Sequence, residues 1–134
     1  MNNKFDSKGT KEYYNESGQY HREDGPAIEC SSGDKYWYLY DKLHRDDGPA
    51  IETANGTKHW YKNGKRHRED GPALEYADGG KLWYKNDRRH REDGPAIERA
   101  EGTKEWILNG KCYGYNNDFT NESWIKFIKT LIFS

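Results

Sequence analysis

The chain has 134 residues, of which 34% are charged and only 32% are hydrophobic, and its mean hydropathy is -1.35. Its 22 basic residues nearly balance its 23 acidic ones, and both signs alternate within short stretches. This pattern argues against nucleic-acid binding, which needs a basic stripe, and against a DNA mimic, which needs a strongly acidic face. The five Trp and eleven Tyr recur at fixed positions, which argues against disorder because disordered segments contain few aromatic residues.

Residues 1 to 8 are polar, and we expect a flexible N-terminus without a secretory signal. From residue 9 to 114 two phrases alternate. One is HR[ED]DGPA, which begins at four histidines 23 residues apart: His21, His44, His67 and His90. The other is clearest as GTKHWYKNG at Gly56, and its relatives begin at Gly9, Gly33, Gly79 and Gly102. A fixed period of about 20 to 50 residues indicates a repeat array.

Each copy of the second phrase predicts a β-hairpin. Residues 57–62 form a β-prone segment that leads into Asn63-Gly64, the dipeptide best suited to a type I′ turn. This turn places Lys62 opposite Lys65 and Tyr61 opposite Arg66. The proline that follows breaks the ladder, residues 73–76 form a short strand, and a turn leads into the next copy. We therefore expect an all-β fold, an elongated antiparallel β-hairpin repeat array with a 23-residue period.

Two columns of side chains are the predicted core of this array. One contains the tryptophans Trp37, Trp60, Trp83 and Trp106, stacked in register with Tyr13 below them. The other contains the aliphatic residues Ile28, Ile51, Leu74 and Ile97. Because a single hairpin is only marginally stable in water, neighbouring repeats must supply the burial.

The tail, residues 115–134, changes period. After a linker at residues 115–118, apolar residues recur at spacings of three and four from Thr120 onward, which predicts an amphipathic α-helix. Thr120 is the expected N-cap, and Glu122 suits the first turn. We interpret this helix as a cap on the last repeat, and the alternative is a helix for partner binding or self-association.

The phrase G-x-K-x-W-Y-x-N-G, the phrase HREDGPA and the 23-residue period, which is repeated four times, resemble a variant form of the MORN repeat over about residues 9 to 113. The HR[ED]DGPA version is similar to repeat proteins of bacteriophages and giant viruses, and a related variant occurs in bacterial antitoxins. The resemblance implies an elongated, single-layer hairpin array that binds other proteins. The GPA proline and the missing G-x-G rhythm depart from standard MORN repeats, so their proposed lipid association transfers poorly, and we expect no membrane binding.

Metal binding and catalysis are not expected. Successive histidines of the HR[ED]DGPA phrase should lie roughly 10 Å apart, at two strand widths of about 4.8 Å, so they cannot share a metal ion. The acid pair of each phrase occurs in four copies, whereas an active site is one pocket of unlike groups. We interpret each His as packing across from Trp with a bond to backbone, and Asp70 as a turn residue that bonds nearby N–H groups. No cofactor is expected.

Positions that differ between repeats are the candidates for recognition, because invariant positions perform the same packing role in each copy. These positions carry Tyr, Leu, Arg and His residues, of which Tyr and Arg are favoured at interfaces. With the tyrosines Tyr38, Tyr61 and Tyr84 they could form an aromatic patch with Arg at its rim, or else a second hydrophobic layer. The predicted partner-binding residues are Tyr36, Leu43, His59, Arg66, Tyr76, Leu82, Arg89 and Arg99.

Together these features favour a non-enzymatic interaction module, of phage origin by the resemblance, that binds and inhibits a host protein such as a defence factor in the host cytoplasm. The alternatives are an antitoxin-like protein that neutralises a cognate toxin and an aromatic-faced binder of a small nucleotide-like ligand. Cys30 and Cys112 lie three repeats apart, too far to bridge, which suits a reducing compartment. Self-association could use the open edge of a terminal hairpin or the C-terminal helix.

Overall fold

The computed structural model describes residues 2–5 and 8–133. It confirms an all-β fold of antiparallel hairpins at regular spacing, followed by one C-terminal helix. The chain divides into two compact units, Met1–Arg66 and His67–Ser134, and we describe each by itself. Among the described residues, no helix has the length and apolar character needed to cross a membrane.

The described residues of unit 1 form ten strands. They are β1 (Asn2–Phe5), β2 (Lys11–Tyr14), β3 (Ile28–Glu29), β4 (Lys35–Tyr36), β5 (Tyr38–Leu39), β6 (Lys42–Leu43), β7 (Ile51–Glu52), β8 (Lys58–His59), β9 (Tyr61–Lys62) and β10 (Lys65–Arg66). The main sheet has the order β1-β2-β3-β4-β7-β8, while β5-β6 and β9-β10 form separate two-stranded arms. The sequence predicts a flexible N-terminus, but β1 pairs with β2 over four residues. Residues 1, 6 and 7 of that segment lie outside the described residues.

Residues 67–133, which the structure describes in unit 2, form seven strands and the helix. The strands are β11 (Leu74–Glu75), β12 (Lys81–Leu82), β13 (Tyr84–Lys85), β14 (Arg88–Arg89), β15 (Ile97–Glu98), β16 (Lys104–Leu108) and β17 (Lys111–Tyr115). The main sheet has the order β11-β12-β15-β16-β17, and β13-β14 form an arm. A short 3-10 helix, Asn116–Asp118, leads to the helix α1, Asn121–Phe133.

The hairpin tips adopt the predicted type I′ geometry. Both tip residues have positive φ in Asn63-Gly64 (50° and 80°) and in Asn109-Gly110 (48° and 82°). Tyr40-Asp41 and Asn86-Asp87 adopt the same conformation although one or both residues are less suited to it. The resulting register pairs Lys62 with Lys65 and Tyr61 with Arg66, as predicted.

The core differs in part from the predicted columns. The four alanines of the HR[ED]DGPA phrase are fully buried: Ala27, Ala50, Ala73 and Ala96. Ala50, for example, accepts from Trp37 N on one side and donates to His59 O on the other, at 2.7 Å in both bonds. Of the aliphatic column, Leu74 and Ile97 are buried, while Ile28 and Ile51 are only half-buried.

The helix α1 covers the end of the last repeat. Thr120 is its N-cap, as predicted, because its Oγ1 accepts from Ser123 N while Ser123 Oγ accepts from Thr120 N. Trp124 is fully buried, packs on Trp106 with ring centroids 5.6 Å apart, and donates from Nε1 to Arg91 O at 2.9 Å. The cap interpretation therefore describes the structure of this helix, although Ile132 remains 67% exposed.

Candidate functional site

One arginine anchors each HR[ED]DGPA phrase, and Arg91 shows the arrangement. Its Nε donates to Asp93 at 2.8 Å, and its Nη1 donates to Pro95 O at 3.1 Å and to Glu98 at 3.4 Å. Its guanidinium lies over the Trp83 ring, 3.8 Å from the centroid. One planar guanidinium therefore donates to two carboxylates and a carbonyl oxygen and covers an aromatic face, and we call this set of contacts the arginine fork. Arg22 and Arg45 repeat this arrangement over Tyr13 and Trp37.

This arrangement corrects two expectations. An arginine, rather than the next tryptophan, covers the ring face, so the aromatic rings do not form a continuous stack. The Asp of each phrase accepts from the arginine, as Asp70 does from Arg68 Nε at 3.2 Å, whereas the sequence predicts backbone N–H groups as the donors to Asp70. The Arg22 guanidinium correspondingly holds the pKa of Asp24 below its ordinary value.

The glycine of the phrase gives the arginine its space. A Cβ placed on Gly94 would lie 2.6 Å from Arg91 Cζ, and one on Gly48 would lie 2.9 Å from Arg45 Cζ. Real carbon atoms do not approach this closely, so any side chain here would push the guanidinium off its partners.

The histidine of each phrase ties one hairpin to the next, in agreement with the predicted bond to backbone. Nδ1 of His44 accepts from Asn63 N at 2.9 Å, and Nδ1 of His90 accepts from Asn109 N at 3.0 Å. On the other side of the ring, His44 Nε2 lies 3.0 Å from Asp46. His21 and His67 accept from the equivalent backbone N–H groups. Among the described residues, no group of three or more His, Cys, Asp and Glu is arranged to hold a metal ion.

The side of the sheet that carries the arginines also carries the charge ladders, and we call it the closed face. Lys35 pairs with Glu29 and Glu52 in unit 1, and Lys81 pairs with Glu75 and Glu98 in unit 2. The closed face consists of Tyr13, Arg22, Glu29, Lys35, Trp37, Arg45 and Glu52 in unit 1, and of Glu75, Lys81, Trp83, Arg91, Glu98 and Lys104 in unit 2.

Strand alternation places the residues that differ between repeats on the opposite side, which we call the variable face. In unit 1, β4 lies between β3 and β7, so Tyr36 stands between Ile28 and Ile51, and His59 is opposite Ile51. The described members of the variable face are Ile28, Tyr36, Tyr38, Leu43, Ile51, His59, Tyr61 and Arg66 in unit 1, and Leu74, Tyr76, Leu82, Tyr84, Arg89, Ile97, Arg99 and Glu105 in unit 2.

The variable face of unit 1 carries half-buried rings. Arg66 Nε donates to Tyr61 Oη at 3.0 Å, and Leu43 stands opposite Tyr38 on the neighbouring arm. Burial raises the pKa of Tyr36 and of Tyr38, with smaller contributions from neighbouring anionic groups. Burial, assisted by Arg66, lowers the pKa of His59, whose buried Nδ1 has no hydrogen-bond partner among the described residues. Both effects favour the neutral form of this imidazole.

The variable face of unit 2 contains a groove of about 360 Å³. It is lined by Tyr76, Leu82, Arg89 and Arg99, all of them predicted partner-binding residues, together with Asp78, Gly80, Ile97, Glu98, Ala100 and Glu101. Tyr76 is 45% exposed, Arg89 and Arg99 are exposed, and Leu82 is half-buried. Arg99 is held by Glu105 at 2.5 Å and Arg89 donates to Tyr84 Oη at 3.2 Å, so both guanidinium groups are oriented by the face itself.

The eight predicted residues therefore fall into two sets. Four of them line this groove. The other four, which are half-buried, lie on the variable face of unit 1: Tyr36, Leu43, His59 and Arg66. Leu82 packs against the buried cluster of Ala96, Ile97 and Ile107, as expected for a second hydrophobic layer, while Tyr76 is open to solvent.

Sequence reasoning missed Gly80, which shapes the groove. It is buried, and its place between the turn glycine and the strand lysine is taken by Asp34, Thr57 and Thr103 in other repeats. A Cβ on Gly80 would lie 3.3 Å from Tyr76 Cδ2, so a larger residue would narrow the groove. The signal was present in the sequence as one more position that differs between repeats.

No protein-family model matches the chain, and no curated protein is similar to it by sequence. The geometry of the two faces is therefore the basis for a functional conclusion.

Proposed function

We propose that this chain is a non-enzymatic interaction module that binds another protein through its variable face. In keeping with the resemblance of its repeats, we place its origin in a virus, specifically a phage, and its target in a protein of the infected cell's cytoplasm. Binding of a defence factor or another host enzyme would inhibit that protein by covering it.

This proposal rests on a difference between the two faces: the residues of one are bonded to one another, and the residues of the other vary and are partly accessible. On the closed face the phrase residues are joined to one another, as in the contacts of Arg91 with Asp93, Pro95 and Glu98. On the variable face the residue types change from repeat to repeat, and Tyr and Arg remain accessible at Tyr76, Arg89 and Arg99. Accessible Tyr and Arg around a partly apolar floor are typical of protein interfaces.

The repeated grooves of the closed face do not suggest an enzyme. A groove of about 570 Å³ occurs between two phrases in unit 1 and again in unit 2, and both are lined by the same types of residue. They follow from the repeat itself, whereas a catalytic site normally brings unlike groups together once.

Photo-crosslinking tests the proposal. p-Benzoylphenylalanine placed at Tyr76 should give a discrete protein adduct in lysate from the host, and mass spectrometry of the adduct tells a host protein from a cognate toxin. The matched control is the same replacement at Tyr40, which is 60% exposed at a hairpin tip outside the variable face.

The proposal requires the adduct to depend on the face. Adding Arg99→Ala to the Tyr76 probe should remove the adduct, because Arg99 stands on the wall of the same groove. An equal yield of the same adduct from Tyr76 and Tyr40, or no adduct from Tyr76, would show that the variable face is not the binding surface.

A further inference from the structure

A contact inside unit 1 shows which chemical group suits the position of Gly80. Asp34 occupies the same place in its repeat as Gly80 does in the later one. Its Oδ1 accepts from Ala54 N at 2.7 Å, across to the turn of the following repeat. The carboxylate thereby joins two successive turns through a short, charge-assisted hydrogen bond.

In unit 2 the chain lacks this carboxylate. Ala100 is the counterpart of Ala54, and a Cβ on Gly80 would lie 3.7 Å from Ala100 N. No hydrogen bond from Ala100 N to an acceptor is found among the described residues, and Ala100 borders the groove beside Gly80. The donor that receives a carboxylate in unit 1 is therefore presented to the groove in unit 2.

The acidic residues that line the groove each have a partner within the chain. Glu98 is turned to the closed face, where Arg91 binds it at 3.4 Å. Asp78 accepts from Gly80 N at 2.9 Å, and Glu101 accepts from the Thr103 hydroxyl at 2.8 Å, so both acids are bound to their own turns.

The walls and floor suit a side chain on a protein loop. Arg89 lines the groove together with the apolar residues Leu82 and Ile97. A volume of about 360 Å³ exceeds a carboxymethyl group, so the Cβ and flanking backbone of an incoming loop can also enter.

We propose that the groove around Gly80 binds an aspartate side chain of the partner protein, whose carboxylate accepts from Ala100 N as Asp34 accepts from Ala54 N. This inference rests on the proposed function and adds the chemistry of the partner to it. The partner supplies in trans the carboxylate that the chain supplies in cis in unit 1, and Tyr76 packs beside it.

The probe for this inference is a blocked aspartate, N-acetylaspartate N′-methylamide, added to the full chain labelled with nitrogen-15. The amide proton of Ala100 should move downfield to a plateau. Blocked asparagine at the same concentration should give about half that shift, because charge-assisted hydrogen bonds are roughly twice as strong as neutral ones. Sodium chloride at equal ionic strength controls for screening.

Two variants test the equivalence of the units. In Gly80→Asp the Ala100 amide should already lie downfield and should not respond to the probe, because the chain now carries its own acceptor. In Asp34→Gly the Ala54 amide should move upfield and become responsive to blocked aspartate. The comparison of aspartate with asparagine on the native chain needs no variant, so a variant that fails to fold does not end the test.

Equal shifts with aspartate, asparagine and chloride, or no response of Ala100, would overturn the inference. The outcome is separable from the proposed function. A Tyr76 adduct without an Ala100 response refutes the aspartate chemistry and leaves protein binding in place, whereas an Ala100 response without any adduct refutes the binding of a protein partner.

Discussion

The two faces of the sheet use the same residue type in opposite ways. Arg91 on the closed face has four partners within its own repeats, and its side chain is 18% exposed. Arg89, two residues earlier, lies on the variable face, is exposed, and is held to Tyr84 by a hydrogen bond. The first arginine stabilises the array and the second is available to a partner. On the closed face, the residues that are identical across repeats therefore pack against one another, and under the proposed function the differing residues of the variable face contact a partner.

The difference between the two faces is tested most directly by replacing each arginine with alanine. Arg91→Ala should lower the free energy of unfolding by about 2 to 3 kcal/mol, because it leaves a half-buried Glu98 and Pro95 O without their donor. Arg89→Ala should cost less than about 1 kcal/mol. Urea unfolding followed by tryptophan fluorescence measures both. Equal losses in the two variants would mean that the variable face is also part of the stabilising framework.

The two faces also differ in what a single added methyl group should do. Gly94→Ala places a carbon 2.6 Å from Arg91 Cζ and should cost about 1 to 3 kcal/mol through displacement of the guanidinium. Gly80→Ala places a carbon 3.3 Å from Tyr76 Cδ2 and 3.3 Å from Asp78 Oδ1, which is a tight contact, but both atoms belong to exposed side chains that can shift. This variant should therefore change stability by no more than about 0.5 kcal/mol. Thermal unfolding of the pair measures the difference. A neutral Gly94→Ala would show that the arginine can be repositioned without loss.

The last repeat shows how far the sequence alone could go. The helix α1 follows from its spacing of apolar residues, and the cap from Thr120. The surface on which the helix packs could not be predicted in this way, because it depends on an arginine that the last repeat lacks. Gly114 stands where another repeat would carry the arginine, and Phe119 Cε2 would lie 2.9 Å from a Cβ there. Phe119 and Trp124 pack on Trp106, the aromatic ring that no arginine of a further phrase covers.

The hairpin register, in contrast, could be predicted from the sequence. Turn conformation and strand alternation are local, so Asn63-Gly64 fixes which residues oppose one another. The arginine fork is not local in this sense, because it joins residues up to seven positions apart through a bent backbone. The groove at Gly80 exists because glycine has no side chain, and the sequence pattern does not indicate where such a space forms.

The two faces should lose stability at different pH values as the pH is lowered. Burial lowers the pKa of His59 on the variable face, so the unfolded chain takes up that proton first as pH falls through about 6.5, and stability declines there. Arg22 lowers the pKa of Asp24 on the closed face, so its stabilising effect is lost only as pH falls below 3.8. Unfolding midpoints across this range should show two declines. His59→Gln should weaken the upper one and Asp24→Asn the lower one, and a single decline unaffected by His59→Gln would contradict the assignment.

The charge ladder of the closed face should contribute least. Lys81 stands between Glu75 and Glu98, and each cross-strand pair of opposite charge adds only a few tenths of a kcal/mol, roughly 0.2 to 1. Lys81→Gln should therefore cost less than about 1 kcal/mol, and the loss should shrink at high salt because exposed charges are screened. Lys126→Gln, on the exposed side of α1, removes the same charge away from the ladder and is the control for net charge. If Lys81→Gln lowered the free energy of unfolding as much as Arg91→Ala, charge pairs in general would stabilise the closed face, and the contacts of the arginine would have no special role.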